Sequence, residues 1–396
     1  MNKQDANAAS RAYASLLTPQ GRGAVASIRF EGDCGLIDAA DPPLFRAANG
    51  KPLSRQAIRQ VVFGRWGIGT EEEIVLCRTS PEVLDLHSHG GNAAVGRILA
   101  DLESLGCRIE TWQSAESRDG GIFESECLQC VARAQTVRTA GILLEQQTGV
   151  LRSALEDLLS QVRRVARGES ADPPDEVRAT LASRLGALER WSDFGLHLCD
   201  PWGVVLVGRP NVGKSSLMNA LLGYSRSIVY DQPGTTRDVL SAQTALEGWA
   251  MNLIDTAGLR SDAPELEAAG IALAEAQIER ADCRVLLLDT SQPPGDDDWR
   301  LIERWPDALL VAHKSDLPNV WHGTLPSAAV SASSLFGTGI ADLASTLVNK
   351  LVPEIPPPGT AIPITTRQVA LIRRAAAALQ SDDWQAFRST LEECLG

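Results

Sequence analysis

Residues Trp202-Gly-Val-Val-Leu-Val-Gly-Arg-Pro-Asn-Val-Gly-Lys-Ser-Ser216 decide the fold. The apolar run 202–207 reads as a buried strand, and Leu217-Met-Asn-Ala-Leu-Leu222 reads as the helix that follows. Between them, Gly208-x4-Gly213-Lys214-Ser215 satisfies the whole P-loop pattern in the strand-to-helix setting that the chemistry requires. Glycines let backbone N–H groups close around a phosphate at a helix N-terminus. Lys214 adds a positive charge toward the β/γ oxygens, and the Ser215 hydroxyl is placed to ligate Mg²⁺. Asn211, Val212, Gly213, Lys214, Ser215 and Ser216 are therefore expected to line a nucleotide site.

Elements further along the chain select the nucleotide. Asp255-Thr-Ala-Gly258 follows the strand-like Met251-Asn-Leu-Ile254, so the Asp255 carboxylate is expected near Mg²⁺ and the Gly258 amide near the γ-phosphate. Gly234, Thr235 and Thr236 lie between these motifs, and Thr236 is the expected further ligand to the ion. His313-Lys-Ser-Asp316, after the strand-like Ala308-Leu-Leu-Val311, resembles the Asn-Lys-x-Asp motif of GTPases, with Lys314 in its usual place. Asp316 can accept from both N1–H and N2–H of guanine, a donor pair that adenine lacks, so the expected ligand is GTP. Ser331-Ala332 matches the short loop behind the base. His313 departs from the motif's Asn, and a ring there is expected to bridge base and P-loop imperfectly.

Around this core the 396 residues form a multidomain chain. Residues 1–112 read as a small α+β domain, with strands near Ala24–Phe30 and Glu73–Cys77 and a helix near 93–105. Residues 113–200 read as the first part of a helical domain, on Leu143, Leu144, Val150, Leu151, Leu155, Leu158 and Leu159. Residues 201–352 alternate strand and helix as a P-loop G domain, and the proline-rich stretch 353–359 leads to a short helical segment ending at 396. The expected class is thus α/β plus α: a parallel sheet with flanking helices, an N-terminal α+β domain and a helical middle domain.

A net charge of −13 argues against a broad electrostatic grip on nucleic acid and leaves room only for a local or partner-shared contact. Eight dispersed cysteines fit reduced thiols rather than a secreted disulfide scaffold. Cys127-Leu-Gln-Cys130 has no second pair and reads as two thiols on a helix, and His87-Ser-His89 reads as a loop feature rather than a ligand pair. No apolar run reaches about 20 residues and the N-terminus is polar, so no membrane contact and a cytoplasmic location are expected.

Gly-Arg-Pro-Asn-Val-Gly-Lys-Ser-Ser (208–216), Gly-Thr-Thr-Arg-Asp (234–238) and Asp-Thr-Ala-Gly-Leu-Arg (255–260) together resemble the MnmE/TrmE family of tRNA-modification GTPases. Thr18-Pro-Gln-Gly-Arg-Gly-Ala-Val25 and Val83-Leu-Asp-Leu-His-Ser-His-Gly-Gly91 extend the resemblance to the first domain. The resemblance implies G domains that meet across their nucleotides in a homodimer, and K⁺ held by Asn211 in place of an arginine finger. It also implies that Glu267 orients the attacking water through a second water; Leu259, where many GTPases carry Gln, has no group to do so. It implies a tetrahydrofolate derivative in the first domain, with Arg22 contacting a pterin or its glutamate tail; a dimer contact or a simple turn is the alternative for Arg22. It further implies an FAD-containing partner, MnmG/GidA-like, acting with this chain at carbon 5 of the wobble uridine of tRNA.

Two stretches depart from the family. Gln113–Cys127 keeps only traces of the family's block between the folate domain and the helices. The family ends in Phe-Cys-Ile-Gly-Lys, whereas Leu391-Glu-Glu-Cys-Leu-Gly396 reads either as that motif without its lysine or as a mid-helix stretch of the last domain. These departures leave a second reading beside the first: a derived GTPase switch that no longer modifies tRNA and acts through another protein or a ribosomal partner.

Overall fold

The computed structural model describes residues 12–19, 21, 23–167, 174–224, 241–255, 276–321 and 323–396. They fall into two compact units that divide between Gly121 and Ile122.

The first unit contains β1 (Tyr13–Leu16), β2 (Val25–Glu31), α1 (Gly35–Asp38), β3 (Phe45–Ala47), β4 (Val61–Trp66), β5 (Glu72–Arg78), β6 (Val83–His89), α2 (Asn92–Ser104), β7 (Arg108–Thr111) and α3 (Trp112–Asp119). The strands form one sheet in the order β3-β4-β5-β6-β2-β1-β7, antiparallel except where β1 meets β7. β4 shows why one face is covered. Val62 and Trp66 point into a core with Ile28, Phe30, Leu76 and Leu86, while Val61, Phe63 and Arg65 alternate outward. α2 lays Ile98 and Leu102 onto the same core.

The second unit begins with α4 (Ile122–Arg133), α5 (Val137–Gln147), α6 (Val150–Ala166), α7 (Pro174–Arg190) and α8 (Ser192–Cys199). The sheet region follows: β8 (Trp202–Val207), α9 (Lys214–Tyr224), β9 (Ser241–Leu246), β10 (Trp249–Asp255), β11 (Cys283–Asp289), α10 (Asp296–Arg304), β12 (Leu309–His313), β13 (Val330–Ala332) and α11 (Ile340–Leu351). The chain closes with α12 (Thr366–Gln380) and α13 (Trp384–Leu395), which pack back on α7 and α6. The leucine periodicity is largely right, since Leu143, Leu151, Leu155, Leu158 and Leu159 are buried. Leu144 is exposed, because the adjacent Leu143 occupies the inward face of α5.

Strand order β13-β12-β11-β8-β10-β9 is parallel except for β9. β8 and β11 are near-continuous apolar runs because both faces of a parallel sheet are covered. β8 lies between β11 and β10, so the chain leaves it at the point where the strand order reverses, where open α/β sheets hold their ligands.

The β9–β10 hairpin turn is tied to the start of α5. Thr136 Oγ1 donates to the Gly248 carbonyl at 2.7 Å and Arg138 Nη1 to the Glu247 carbonyl at 2.9 Å. The Arg138 guanidinium also lies over the Trp249 ring, 4.9 Å from its centroid. Near the opposite ends of β8 and β11, Asp282 accepts from the Gly203 amide at 2.6 Å and pairs with His197 at 3.4 Å.

Candidate nucleotide site

The loop after β8 is shaped by positions that tolerate positive φ. Asn211 sits exposed at φ 60° and Gly213 at φ 102°. A Cβ on Gly213 would stand 2.4 Å from Cε1 of His313, so glycine there serves both the loop conformation and the approach of the ring. Lys214 opens α9 almost fully buried, and its ammonium reaches back to donate to the Gly208 and Arg209 carbonyls, each at 3.0 Å. That places its charge along the cradle in which backbone N–H groups would receive phosphate. Ser216, the next residue but one, is exposed on α9.

Register brings the acidic partner alongside. β10 pairs with β8 so that Asp255 lies opposite Leu206, two residues before the loop. Asp255 Oδ2 then accepts from Ser215 Oγ at 2.5 Å. A hydroxyl and a carboxylate sharing one position are hard oxygen donors of the kind Mg²⁺ takes, so the two residues fit that ion. Gly234, Thr235, Thr236, Gly258, Leu259 and Glu267 lie outside the described residues, and so does Arg22.

The base side is assembled from β12, β13 and the turns after them. His313 ends β12 opposite Ala332 of β13, and its ring is buried. Nδ1 lies 2.7 Å from the Val212 carbonyl and Nε2 2.7 Å from Ser334 Oγ. A carbonyl only accepts, so Nδ1 carries the proton, Nε2 is the acceptor and the Ser334 hydroxyl donates. Burial holds the imidazole pKa below its ordinary value, which keeps the ring neutral. The ring therefore ties the P-loop at Val212 to Ser334. Lys314, at φ 59°, pairs with the buried Asp289 at 2.6 Å. Burial alone would raise the Asp289 carboxyl, but Lys314 and Ser291 outweigh it and hold the group low. Asp316 accepts from Ser333 Oγ at 2.5 Å, which fixes its orientation, and the Ser315 amide donates to the Ala332 carbonyl. Ser331 and Ala332, expected in a short loop, lie in the strand β13, and the Ser331 carbonyl would lie 1.9 Å from a Cβ on Gly339.

Sequence reasoning missed Ser333, Ser334, Asp289 and a second anchor of the loop. Arg209 meets Asp298 at 2.8 Å in an ionic contact without hydrogen-bond alignment, while the other Asp298 oxygen accepts from the Gly295 amide. Asp298 is fully buried on the face of α10 that also carries Leu301 and Ile302. A carboxylate in register with an apolar stripe is the signal that would have found it, because such a group requires a cationic partner.

In the first unit, a cavity of about 760 Å³ is lined by Thr18, Gly21, Gly23, Gly90, Asn92, Glu110 and Trp112, among others. The two N-terminal motifs meet there backbone to backbone: Gly23 N–H donates to the Gly90 carbonyl at 3.1 Å and Gly90 N–H to the Ala24 carbonyl at 3.2 Å. A Cβ on Gly90 would lie 2.2 Å from the Gly23 carbonyl oxygen, which accounts for glycine at 90. Glu110 and Trp112, from β7 and α3, were not anticipated as lining residues. His87 bonds Ser27 and His89 bonds Glu72, each at 2.8 Å. Among the described residues no His, Cys, Asp and Glu cluster has metal-holding geometry, and no helix is long and apolar enough to cross a membrane.

Cys127 and Cys130 are both buried on α4. Cys394 is buried in α13, and burial pushes its thiol up to about 11.

A family model described as a 50S ribosome-binding GTPase matches residues 203–314. The tRNA modification GTPase MnmE of Geobacillus kaustophilus is 32% identical over 338 residues, which cover 77% of this chain and 73% of that protein. Its namesake in a Synechococcus species is 32% identical over 391 residues, covering 91% and 84%. The one in Alkalilimnicola ehrlichii is 31% identical over 411 residues, covering 96% and 90%.

Proposed function

Since the chain belongs to the MnmE family of tRNA modification GTPases and is a GTP-hydrolysing enzyme, we propose that it acts on carbon 5 of the wobble uridine of tRNA, in the cytoplasm and together with an FAD-containing partner. In this reading residues 1–112 are the folate-binding and dimerising domain and 201–352 the G domain. Residues 113–200, with the segment 353–396, form the helical part. The observation that carries the reading is the contact of Ser215 with Asp255 beside Lys214, which gathers a phosphate cradle and an Mg²⁺-type oxygen pair at the carboxyl ends of β8 and β10.

Each residue then has a stated task. The P-loop amides and Lys214 hold the β/γ oxygens and offset charge that develops on them. Ser215 and Asp255, with Thr236, would hold Mg²⁺, and Asn211 would hold K⁺; these ions supply further positive charge at the phosphates. Asp316 reads the N1 and N2 donors of guanine, backed by Ser331 and Ala332. Glu267 orients the water that attacks, since Leu259 has no group to do so. The G domains pair across their nucleotides in a homodimer. The cavity in the first unit fits a flat heterocycle with a polar tail, because it combines the Trp112 ring, backbone groups of Gly23 and Gly90, and the Glu110 carboxylate. A tetrahydrofolate derivative is the proposed occupant, with Arg22 at its edge, and it would carry the one-carbon unit.

The test is nucleoside mass spectrometry of bulk tRNA from a strain deleted for the gene. The expected result is loss of carbon-5-modified wobble uridine, restored by the intact gene and not by Lys214→Ala. The K⁺ assignment is tested separately: GTP turnover should be higher in K⁺ than in Na⁺ at equal ionic strength, and equal rates would remove K⁺ from the scheme. The second reading is a GTPase switch without tRNA chemistry that acts through another protein or a ribosomal partner. Unchanged tRNA in a strain whose purified protein still hydrolyses GTP would select it.

A further inference from the structure

Position 313 lies between the P-loop and the residue that reads the base, and its hydrogen-bonding capacity can be counted. A neutral imidazole has one N–H and one acceptor nitrogen. Here the N–H is spent on the Val212 carbonyl at 2.7 Å and the acceptor on the Ser334 hydroxyl at 2.7 Å. The ring is enclosed by the P-loop at Gly213, whose Cβ would meet it at 2.4 Å, and it is 3% exposed. An asparagine amide at the same place would have two N–H groups, one for the carbonyl and one to spare.

In the pose that goes with the GTP reading, N1 and N2 of guanine lie on Asp316, N9 carries the ribose toward the P-loop, and the N7 edge of the base is taken to face position 313. N7 is an acceptor and needs a donor. We propose that in this chain His313 does not read the base: it is a positioning residue that bolts the Ser333–Thr338 turn to the P-loop and leaves guanine N7 unrecognised. The site therefore accepts guanine nucleotides altered at position 7 as readily as the natural ones, and its purine discrimination rests on Asp316 alone. The inference rests on the GTP reading above and deepens it. Burial keeps the ring neutral and so withholds the second N–H that a protonated imidazole would have.

The experiment is calorimetric titration of the full chain, with Mg²⁺, against GDP, 7-deazaguanosine diphosphate and inosine diphosphate, which lacks the 2-amino group. GDP and the 7-deaza analogue should bind with dissociation constants within about twofold of each other, while inosine diphosphate binds about tenfold or more weakly. A 7-deaza analogue weaker by about fivefold or more, alongside a discriminated inosine analogue, would overturn the His313 inference and leave the guanine assignment standing. Inosine diphosphate binding as well as GDP, or no GDP binding at all, would overturn the guanine assignment and the inference with it.

His313→Asn supplies the converse. It should create a preference for GDP over the 7-deaza analogue of about three- to tenfold by adding the missing donor, and a ratio that stays at one would count against the proton inventory. Should that variant not fold, the native-protein titrations decide alone. ¹⁵N resonances of the His313 ring provide a readout that general stability does not move: the Nδ1–H tautomer is expected, and an Nε2–H tautomer would overturn the assignment.

Discussion

At the phosphate end of the nucleotide site the working groups are neighbours in sequence, Gly208 to Ser215, and one strand pairing adds Asp255. At the base end they come from separated segments: Val212 on the loop, Asp289 at the end of β11, His313 to Asp316 at and after the end of β12, and Ser333 and Ser334 after β13. The first end is a local structure that the chain makes wherever a strand meets a helix through this loop. The second depends on the whole sheet being in register. The phosphate end accordingly supplies charge and affinity of a general kind, and the base end supplies choice. Gly213 belongs to both, because it turns the loop and leaves room for the His313 ring.

The division predicts effects of graded size. Lys214→Ala should lower GTP turnover by about 10²–10³-fold, as removal of one preorganised charge contact does, while the variant keeps its melting temperature. Full activity in that variant would break the phosphate-end assignment. Gly213→Ala should damage both ends at once. A side chain at φ 102° and a clash with His313 together cost about 2–4 kcal/mol, read as a lower melting temperature and weaker GDP binding. Asp316→Ala should weaken GDP by about 10–100-fold and abolish the preference over inosine diphosphate, with phosphate contacts intact. A uniform loss for both nucleotides would show that the two ends are not separable.

The smallest effect lies far from either end. Burial pulls the His197 pKa down, but the Asp282 carboxylate outweighs it and the net shift is upward. Burial likewise pushes Asp282 up, and His197 with the Gly203 amide brings it below its ordinary value, so Asp282 stays charged near neutrality. The His197 contribution is thus fully present below the ordinary imidazole value of about 6.5 and is lost as pH rises through the raised one. Asp282→Asn should remove about 0.5 kcal/mol of stability below pH 6.5, nothing well above the raised value, and leave GDP affinity unaltered.

What was legible in the sequence follows the same division. The P-loop, the Asp255 strand end and the Lys314–Asp316 segment could be read because each is a short run whose backbone and chemistry are set locally. The leucines of α6 could be read because periodicity encodes the buried face. Ser334 and Asp289 could not be read, since a single serine or aspartate carries no period and its partner lies tens of residues away, whereas Asp298 was missed although it stands in register with an apolar stripe. The cavity in the first unit was half legible: its two glycine motifs were visible, but not that Gly23 and Gly90 bond to each other, nor that Trp112 closes the wall.

The tie of the β9–β10 turn to α5 couples the sheet to the helical part. One strand of the hairpin comes from the segment that carries Thr236, and the other runs on into the segment that carries Gly258 and Glu267. The hairpin turn and the start of α5 are therefore held as one piece by two hydrogen bonds and one tryptophan face, and neither can shift without the other.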